Sequence, residues 1–268
     1  MGFLGLSQKT VLVSGLANRK SVAWFVHQAL VEESARVLHV VKTAEIATSV
    51  RALVGDSPVF VCDVSKPAEI ERLAQELGAR GLVLDGFVHS LAHANYERGV
   101  RPFHETERAD FLEAIDVSCF SLVALVRALE GLLAPRASIV TLSISHTHLA
   151  AESYGYMAPV KAALDATVVF LAKSLSERGE IRVNSVKAGP LKTSSSAGIP
   201  GYLDNYLFAE MATLRHRALT TAEVANAVLF LLSERSSGIN AQGVVVDAGL
   251  GVNFFDRAIV ERATRPAP

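Results

Sequence analysis

Short apolar runs alternate with longer amphipathic segments along most of the chain. Seven runs rich in β-branched side chains are predicted as strands: Thr10–Ser14, Arg36–Val41, Val59–Cys62, Gly86–His89, Ser138–Leu142, Arg182–Val186 and Gly243–Val246. Six segments are predicted as helices: Val22–Glu33, Ala44–Val54, Pro67–Leu77, Ala109–Leu133, Glu152–Glu177 and Ala222–Ser233. Several strand runs are apolar on both faces, as strands buried between two helical layers must be. The alternation predicts an α/β fold, a doubly wound parallel sheet of the Rossmann type with helices on both faces.

No repeat, low-complexity tract or Pro/Gly-rich linker divides this pattern, so residues 1–268 are predicted to form a single domain. The alternation breaks only at residues 194–219, where Gly198, Pro200 and Gly201 precede an apolar stretch. A long irregular segment inside a compact fold is usually functional. We interpret it as a mobile lid over an apolar, substrate-binding pocket, with a plain packing insertion as the alternative.

Composition excludes several classes of protein. The net charge is −1 and no basic stripe appears, which argues against a nucleic-acid partner. Cys62 and Cys119 lie in apolar surroundings without a CxxC spacing, which is typical of a reducing compartment. The apolar runs are too short for a membrane span and the N-terminus does not resemble a signal peptide. The sequence therefore predicts a cytoplasmic protein with no membrane partner, and a frayed polar tail after Ala263.

The turn after the first predicted strand has features of a phosphate-binding loop. Gly15 permits a tight turn, small Ala17 and Ser21 allow close approach of a ligand, and the helix that begins at Val22 directs free amide groups at an anion. Only one glycine of the dinucleotide-binding pattern is present. An ordinary strand-to-helix turn is the alternative interpretation.

Two charged residues follow the second and third predicted strands. In a Rossmann arrangement the second strand ends beside the adenosine ribose, where Lys42 would offer a positive charge to a 2′-phosphate and favour NADPH over NADH. A solvated surface lysine is the alternative. Asp63 would accept a hydrogen bond from the adenine amino group, or would cap the helix that starts near Pro67.

Tyr154 and Lys161 have the spacing that carries the most chemical information. Seven residues in a helix return almost to the same face, with Met157 between them. A nearby ammonium favours the ionised phenol and would make Tyr154 a readier acid, which suits a reaction that develops negative charge on a carbonyl oxygen. A helix with one inward tyrosine and one surface lysine is the alternative. Pro159, between them, would kink that helix or mark its first turn.

These features together resemble the enoyl-acyl carrier protein reductases, a divergent branch of the short-chain dehydrogenase/reductase family. The resemblance covers about Gly5 to Val252, and the Tyr-x6-Lys spacing with methionine between is specific to this branch. Further matching segments occur in the same order: Gly15–Trp24, Cys62–Val64, Asp85–Ser90, Ile139–Ser143, Arg182–Ser185, Ala188–Pro190 and Asp247–Gly249.

The resemblance implies reduction of an enoyl thioester on acyl carrier protein by NADH or NADPH, in fatty-acid or related biosynthesis. Tyr154 would donate to the enolate oxygen, and Lys161 would bind the nicotinamide ribose. The other implied cofactor contacts are Gly15, Ala17, Ser21, Val22, Lys42, Asp63, Val64, Ser90, Leu91, Ala188, Gly189, Pro190 and Thr193. The implied substrate contacts are His93, Ile144, Met157, Ile199, Tyr202 and Tyr206. No metal is implied, and a homotetramer is expected.

The chain departs from the family pattern at three places. Ile144 replaces a second tyrosine, so one donor to the enolate is missing unless Ser143, Ser145 or His146 compensates. Lys187 replaces a small residue and adds charge near the cofactor cleft, and His93 replaces an aromatic residue. Two other functions therefore stay open: a reductase of another carbonyl or alkene, and a nucleotide-binding sensor with weak turnover.

Overall fold

Seven parallel strands form one sheet in the computed structural model, which describes residues 2–151 and 154–264. The strand order is β3-β2-β1-β4-β5-β6-β7. The strands are β1 (Thr10–Ser14), β2 (Arg36–Val41), β3 (Val59–Val61), β4 (Leu84–His89), β5 (Leu133–Ile144), β6 (Arg182–Ala188) and β7 (Gly243–Val246). The prediction of a doubly wound parallel α/β sheet is confirmed.

Helices connect the strands and cover the sheet. Their bounds are α1 (Val22–Glu32), α2 (Ala44–Val54), α3 (Pro67–Ala79), α4 (Arg108–Ile115), α5 (Ser121–Leu129), α6 (Met157–Leu175), α7 (Ser194–Ala197), α8 (Tyr202–Ala212), α9 (Thr221–Leu232) and α10 (Arg257–Thr264). Within the described ranges, no helix combines the length and apolar character that a bilayer crossing requires.

Two apolar layers sandwich the sheet. On one face Leu73, Leu125 and Leu164 from α3, α5 and α6 pack against strand residues such as Phe87. On the other face, side chains of α1, α2 and α9 pack together with Val13 of β1. Because both faces are covered, the ligand-accessible edge of the sheet is the one where the strands end. The strand order reverses between β1 and β4, and this is where a crevice opens in such folds.

The predicted helix Ala109–Leu133 is wrong in two respects. A π-helical turn at Asp116–Phe120 separates α4 from α5, and a short 3-10 turn follows α5. The last predicted residue, Leu133, belongs to β5, which is longer than predicted and pairs with Leu84 there. The run from Gly131 to Ala134 continues the apolar pattern of the helix, but Pro135 disfavours a helical conformation at the residue before it.

The predicted helix Glu152–Glu177 begins later than expected. Gly155 takes a φ of +53°, so the chain turns through residues 154–156 and α6 starts at Met157. Tyr154 therefore lies before the helix that carries Lys161. Pro159 occupies the first turn of α6, where its missing N–H has no intrahelical partner to lose. Glu152 and Ser153 lie outside the described residues.

Two segments contain helices that the pattern did not predict. Residues 194–219 contain α7, with a capping box between Thr193 and Ser196, and α8. The chain also forms α10 through Thr264, one residue beyond the predicted start of the tail. Residues 265–268, where a frayed tail was expected, lie outside the described residues. Mobility of the 194–219 segment stays a prediction.

A pair of buried histidines joins α1 to β2. His39 Nε2 lies 3.1 Å from His27 Nδ1, and the His39 side chain is fully buried. Burial, followed by the repulsion of His27, lowers the pKa of His39 to about 3, and burial also lowers the pKa of His27. Both rings are therefore neutral in the folded chain near neutral pH.

This pair predicts a loss of stability in acid. Between about pH 6.5 and pH 3 these histidines bind protons in the unfolded chain but stay unprotonated in the folded chain. The free energy of unfolding therefore falls as the pH is lowered. Each such histidine contributes a slope of up to about 1.4 kcal/mol per pH unit. The free energy of unfolding, measured by urea titration at pH 7, 6 and 5, should depend less steeply on pH in His39→Leu than in the wild type.

The matched control is His104→Gln, because the His104 side chain is 83% exposed and takes no part in the buried pair. If the free energy of unfolding depended on pH as steeply in His39→Leu and His27→Leu as in the wild type, the histidine pair would not be the cause of the loss of stability in acid.

Candidate active site

Three adjoining cavities lie where the strands end. The edge cavity, of about 210 Å³, follows β2 and β3 and includes Lys42, Asp63 and Val64. The central cavity, of about 390 Å³, lies beside Gly15, Lys161 and Thr193. The apolar cavity, of about 450 Å³, lies between the end of β6 and α8. The edge and central cavities share Gly15 and Ser90, whereas the central and apolar cavities share Tyr154 and Ile144.

The structure brings nearly all of the predicted site residues together around these cavities. Ala17, Lys42, Asp63 and Val64 line the edge cavity, and Gly15, Ser90, Leu91 and His93 line both this and the central cavity. Ser21, Val22, Met157, Lys161, Thr193 and Ile199 line the central cavity. Tyr154, Ile144, Ala188, Gly189 and Tyr202 line both the central and apolar cavities, and Pro190 lines the apolar one.

Tyr206 is not brought to any of the three cavities. It is buried on α8, and the Lys192 ammonium lies 4.4 Å from the centroid of its ring. The expectation that this tyrosine contacts the acyl chain is therefore not supported by its position.

The turn at Gly15 cannot accept a larger residue. Its φ is +85°, and a Cβ atom there would lie 1.9 Å from the carbonyl oxygen of Ser90. Ser21 precedes α1 in an extended conformation, and no acidic residue occupies the first turn of α1. No acidic side chain of this first turn therefore competes with an anion for the amide groups at the start of α1.

Lys42 and Asp63 lie together in the edge cavity. Burial acts to raise the pKa of Asp63, but hydrogen bonds from Ser65 and the charges of Lys42 and Lys66 outweigh it, so the pKa is lowered. Asp63 accepts hydrogen bonds from the backbone N–H and hydroxyl of Ser65, at 3.1 and 2.7 Å. Lys66, rather than Asp63, is the residue that precedes α3. Asp63 thus orders the turn before α3 while it lines the cavity.

The hydroxyl of Tyr154 is the phenol available to a ligand. Tyr156 and Tyr202 donate to the backbone carbonyls of Asn95 and Leu191, both at 3.0 Å, and Tyr96 donates to the carbonyl of Tyr154 at 3.4 Å. Tyr206 lies outside the cavities. Among residues 2–151 and 154–264, nothing hydrogen-bonds to the hydroxyl of Tyr154, which lines two cavities.

The expectation that Lys161 makes Tyr154 more acidic is wrong in this structure. Burial raises the pKa of Tyr154, and the nearby phenols of Tyr202 and Tyr96 raise it further. The spacing argument failed because Tyr154 lies in a turn before α6. In that turn burial raises its pKa, and Lys161 is not among the groups that shift it. Tyr154 is therefore a neutral hydrogen-bond donor at neutral pH.

Lys161 is a buried ammonium held by two backbone carbonyls. It donates to Leu142 of β5 at 2.8 Å and to Leu91, just beyond β4, at 3.3 Å. Burial lowers its pKa to about 8, while the nearby Cys119 and Asp165 oppose that shift. Lys161 is thus not a surface lysine, and its third N–H can serve a ligand in the central cavity.

The neighbours of Ile144 differ in their freedom to replace a tyrosine hydroxyl. The Ser143 hydroxyl is buried and has no hydrogen-bond partner in the described part of the chain, and Ser143 lines the central cavity. The His146 ring instead contacts Asp247. Lys187 forms a 2.8 Å ion pair with Asp165 of α6 and lines none of the three cavities, so its charge is neutralised away from the cleft.

Sequence reasoning missed cavity residues contributed by distant segments. Ser195 lies where the edge and central cavities meet, and Leu250, Gly251 and Phe254 line the apolar cavity from beyond β7. No spacing signal relates these residues to Tyr154. The segment Asp247–Gly249 marked this region in the sequence, but it did not indicate that the residues after it, including the exposed Phe254, line the apolar cavity.

The chain was compared with known proteins. The family model described as enoyl-(acyl carrier protein) reductase matches residues 15–251. The enoyl-[acyl-carrier-protein] reductase [NADH] FabI of Bacillus subtilis is 34% identical over 92% of this chain and 97% of its own length. The enzyme of the same name from Escherichia coli is 33% identical over 94% and 97%.

Solved structures agree with these matches. Enoyl-[acyl-carrier-protein] reductase (NADH) from Aquifex aeolicus superposes with a TM-score of 0.89 at 30% identity, over 94% of this chain and 99% of that one. The Bacillus cereus enoyl-acyl carrier protein reductase with NADP+ and indole naphthyridinone superposes with a TM-score of 0.87 at 29% identity. The superposition covers 92% of this chain and 98% of that one. The match in sequence and structure extends over almost the entire length of each protein. The chain belongs to the enoyl-(acyl carrier protein) reductase family.

Proposed function

We propose that this chain reduces the carbon-carbon double bond of an enoyl thioester carried on acyl carrier protein, in fatty-acid or related acyl-chain biosynthesis. The observation that carries the proposal is the position of Tyr154. Its hydroxyl has no hydrogen-bond partner among residues 2–151 and 154–264, and Tyr154 lies where the central cavity, with Lys161 and the Gly15 turn, meets the apolar cavity. An apolar acyl chain and a nucleotide can thus meet at one hydrogen-bond donor.

The cavities fit a nicotinamide dinucleotide. Gly15 makes a tight turn that no larger residue could form against Ser90, and α1 begins directly after this turn. The buried hydroxyl of Ser143 has no hydrogen-bond partner among the described residues. When bound, the nicotinamide supplies the hydride that adds to the β-carbon of the thioester. Ala188, Gly189 and Pro190 would flank its ring, and Asp63 and Val64 its adenine.

The residues of the chain stabilise the charge that develops on the thioester oxygen. Tyr154, neutral because its pKa is raised by burial, donates a hydrogen bond or proton to that oxygen. The Lys161 ammonium binds the ribose and places positive charge in the same cavity. Ser143, rather than Ile144, is the candidate for a second donor.

The lid and the assembly are further parts of the proposal. Ser195, Gly198 and Ile199 form a wall of the central cavity, so movement of residues 194–219 would admit substrate and exclude water. Phe120 and Phe170 are 53% and 79% exposed on segments that meet at Cys119 and Thr167. Exposed aromatic residues of this kind support burial against further copies in a homotetramer.

The direct test measures oxidation of NADH and NADPH in parallel, with a short enoyl-CoA and a longer enoyl-acyl carrier protein. Turnover of either thioester with saturated product is the expected result, with the carrier-bound substrate preferred. Tight cofactor binding without turnover of any enoyl thioester would contradict the proposal. It would favour a reductase of another carbonyl or alkene, or a nucleotide-binding sensor.

Tyr154→Phe should lower kcat about 10²-fold or more, because the donor to the developing oxyanion is lost. The affinity for the cofactor, measured by fluorescence titration, should stay near the wild-type value. Tyr206→Phe is the matched control, because this ring lies outside the three cavities. Equal kcat values for Tyr154→Phe and the wild type would remove Tyr154 from the mechanism.

Lys42→Ala should lower the ratio of kcat/KM for NADPH to that for NADH by about 10-fold. The relatives in Bacillus subtilis and Escherichia coli are named as NADH enzymes, whereas the Bacillus cereus structure contains NADP+. We propose that Lys42, exposed in the edge cavity, contributes a contact of about 1.4 kcal/mol to a 2′-phosphate, which is the 10-fold change expressed as a free energy. Lys173→Ala, exposed near the end of α6, is the control. A ratio that does not move in Lys42→Ala would rule out this contact.

A further inference from the structure

The apolar cavity has a polar group on one wall. Leu149, Ala158, Phe208, Ala212 and Leu250 contribute an apolar lining that suits a hydrocarbon chain. His146 lines the same cavity, together with Asn205 of α8. A polar side chain in such surroundings is costly unless it finds a hydrogen-bond partner. His146 therefore requires an explanation beyond the fit of a plain acyl chain.

The ring of His146 is fixed in one position. Its Nε2 lies 3.1 Å from Oδ2 of Asp247, whose carboxylate is 9% exposed. That carboxylate also accepts from the backbone N–H of Gly249 at 2.9 Å and of Gly251 at 3.0 Å. A Cβ atom on Gly251 would lie 1.5 Å from Nε2 of His146, so the ring fills space that only glycine leaves open. The arrangement orients His146 rather than merely accommodating it.

The Asp247 carboxylate determines which ring nitrogen of His146 can hydrogen-bond to a ligand. A carboxylate only accepts, so Nε2 donates to it, and Nδ1 of a singly protonated ring is left as an acceptor. In the described part of the chain nothing donates to Nδ1, and the amide of Asn205 likewise has no hydrogen-bond partner there. An imidazole acceptor and an amide in the lining of one cavity suit a group that both donates and accepts.

We propose that His146, oriented by Asp247, determines substrate specificity by binding a hydroxyl group on the acyl chain, beyond the reacting double bond. The hydroxyl donates to Nδ1 of His146 and accepts from the amide of Asn205. This inference rests on the proposed function, since the apolar cavity holds an acyl chain only if the protein is an enoyl reductase. It names the substrate class as hydroxyacyl enoyl thioesters.

The test compares enoyl thioesters of equal length, one unsubstituted and the others with a hydroxyl at successive carbons beyond the double bond. The readout is the ratio of kcat/KM for the hydroxylated chain to that for the unsubstituted chain. At one hydroxyl position the wild type should show a ratio of about 10, as one or two hydrogen bonds allow. His146→Phe, which keeps a ring of similar size, should bring the ratio to about 1 or below.

Asn205→Ala leaves the His146–Asp247 pair intact and should reduce the same ratio by several-fold. His148→Phe is the control, because His148 is exposed and packs edge-on against His146, outside the cavity lining. A wild-type ratio near 1 at every position would overturn the inference. So would a ratio that His146→Phe leaves unchanged, which would mean a purely structural role for the pair.

Failure of the proposed function would be recognised separately, because no enoyl thioester would then be turned over. The same chains can still be compared by equilibrium binding to the enzyme with bound cofactor. Tighter binding of one hydroxylated chain, lost in His146→Phe, would support the subsite. Equal binding of all chains would overturn it.

Discussion

The buried ammonium of Lys161 joins the parts of the molecule on which the site depends. It hydrogen-bonds to the carbonyls of Leu91 and Leu142, so helix α6 is fixed against the ends of two neighbouring strands. A charge with so little exposure is tolerated only where hydrogen bonds replace its water. Because Tyr154 lies in the turn that leads into α6, the same contacts set the position of its hydroxyl relative to the cleft.

The sequence predicted the features that depend on local chemistry. β-branched runs marked the strands, and Gly15 marked a turn that only glycine can form against Ser90. Features that depend on distant contacts were not predictable. Asp247 contacts His146 although the two are 101 residues apart in the sequence, and no periodic pattern predicts that contact. The pKa of Tyr154 was predicted in the wrong direction because the spacing of residues does not report burial, which raises that pKa.

At Ile144 the family resemblance implies a tyrosine, and a neighbouring hydroxyl is at hand: that of Ser143 is buried and has no hydrogen-bond partner in the described part of the chain. In the apolar cavity, His146 contacts a carboxylate that also accepts from two backbone N–H groups. In the proposed function Tyr154 stabilises the developing charge, whereas His146 discriminates between substrates. Because different side chains carry these two roles, each role can be altered separately.

The most direct measurement follows the hydride itself. A cofactor deuterated at the transferred position of the nicotinamide is oxidised with an enoyl thioester, and the product is examined by mass spectrometry and NMR. The account predicts a saturated thioester with one deuterium at the β-carbon, formed when charge develops on the oxygen beside Tyr154. A product that keeps its double bond and carries deuterium at the former carbonyl carbon would contradict the account.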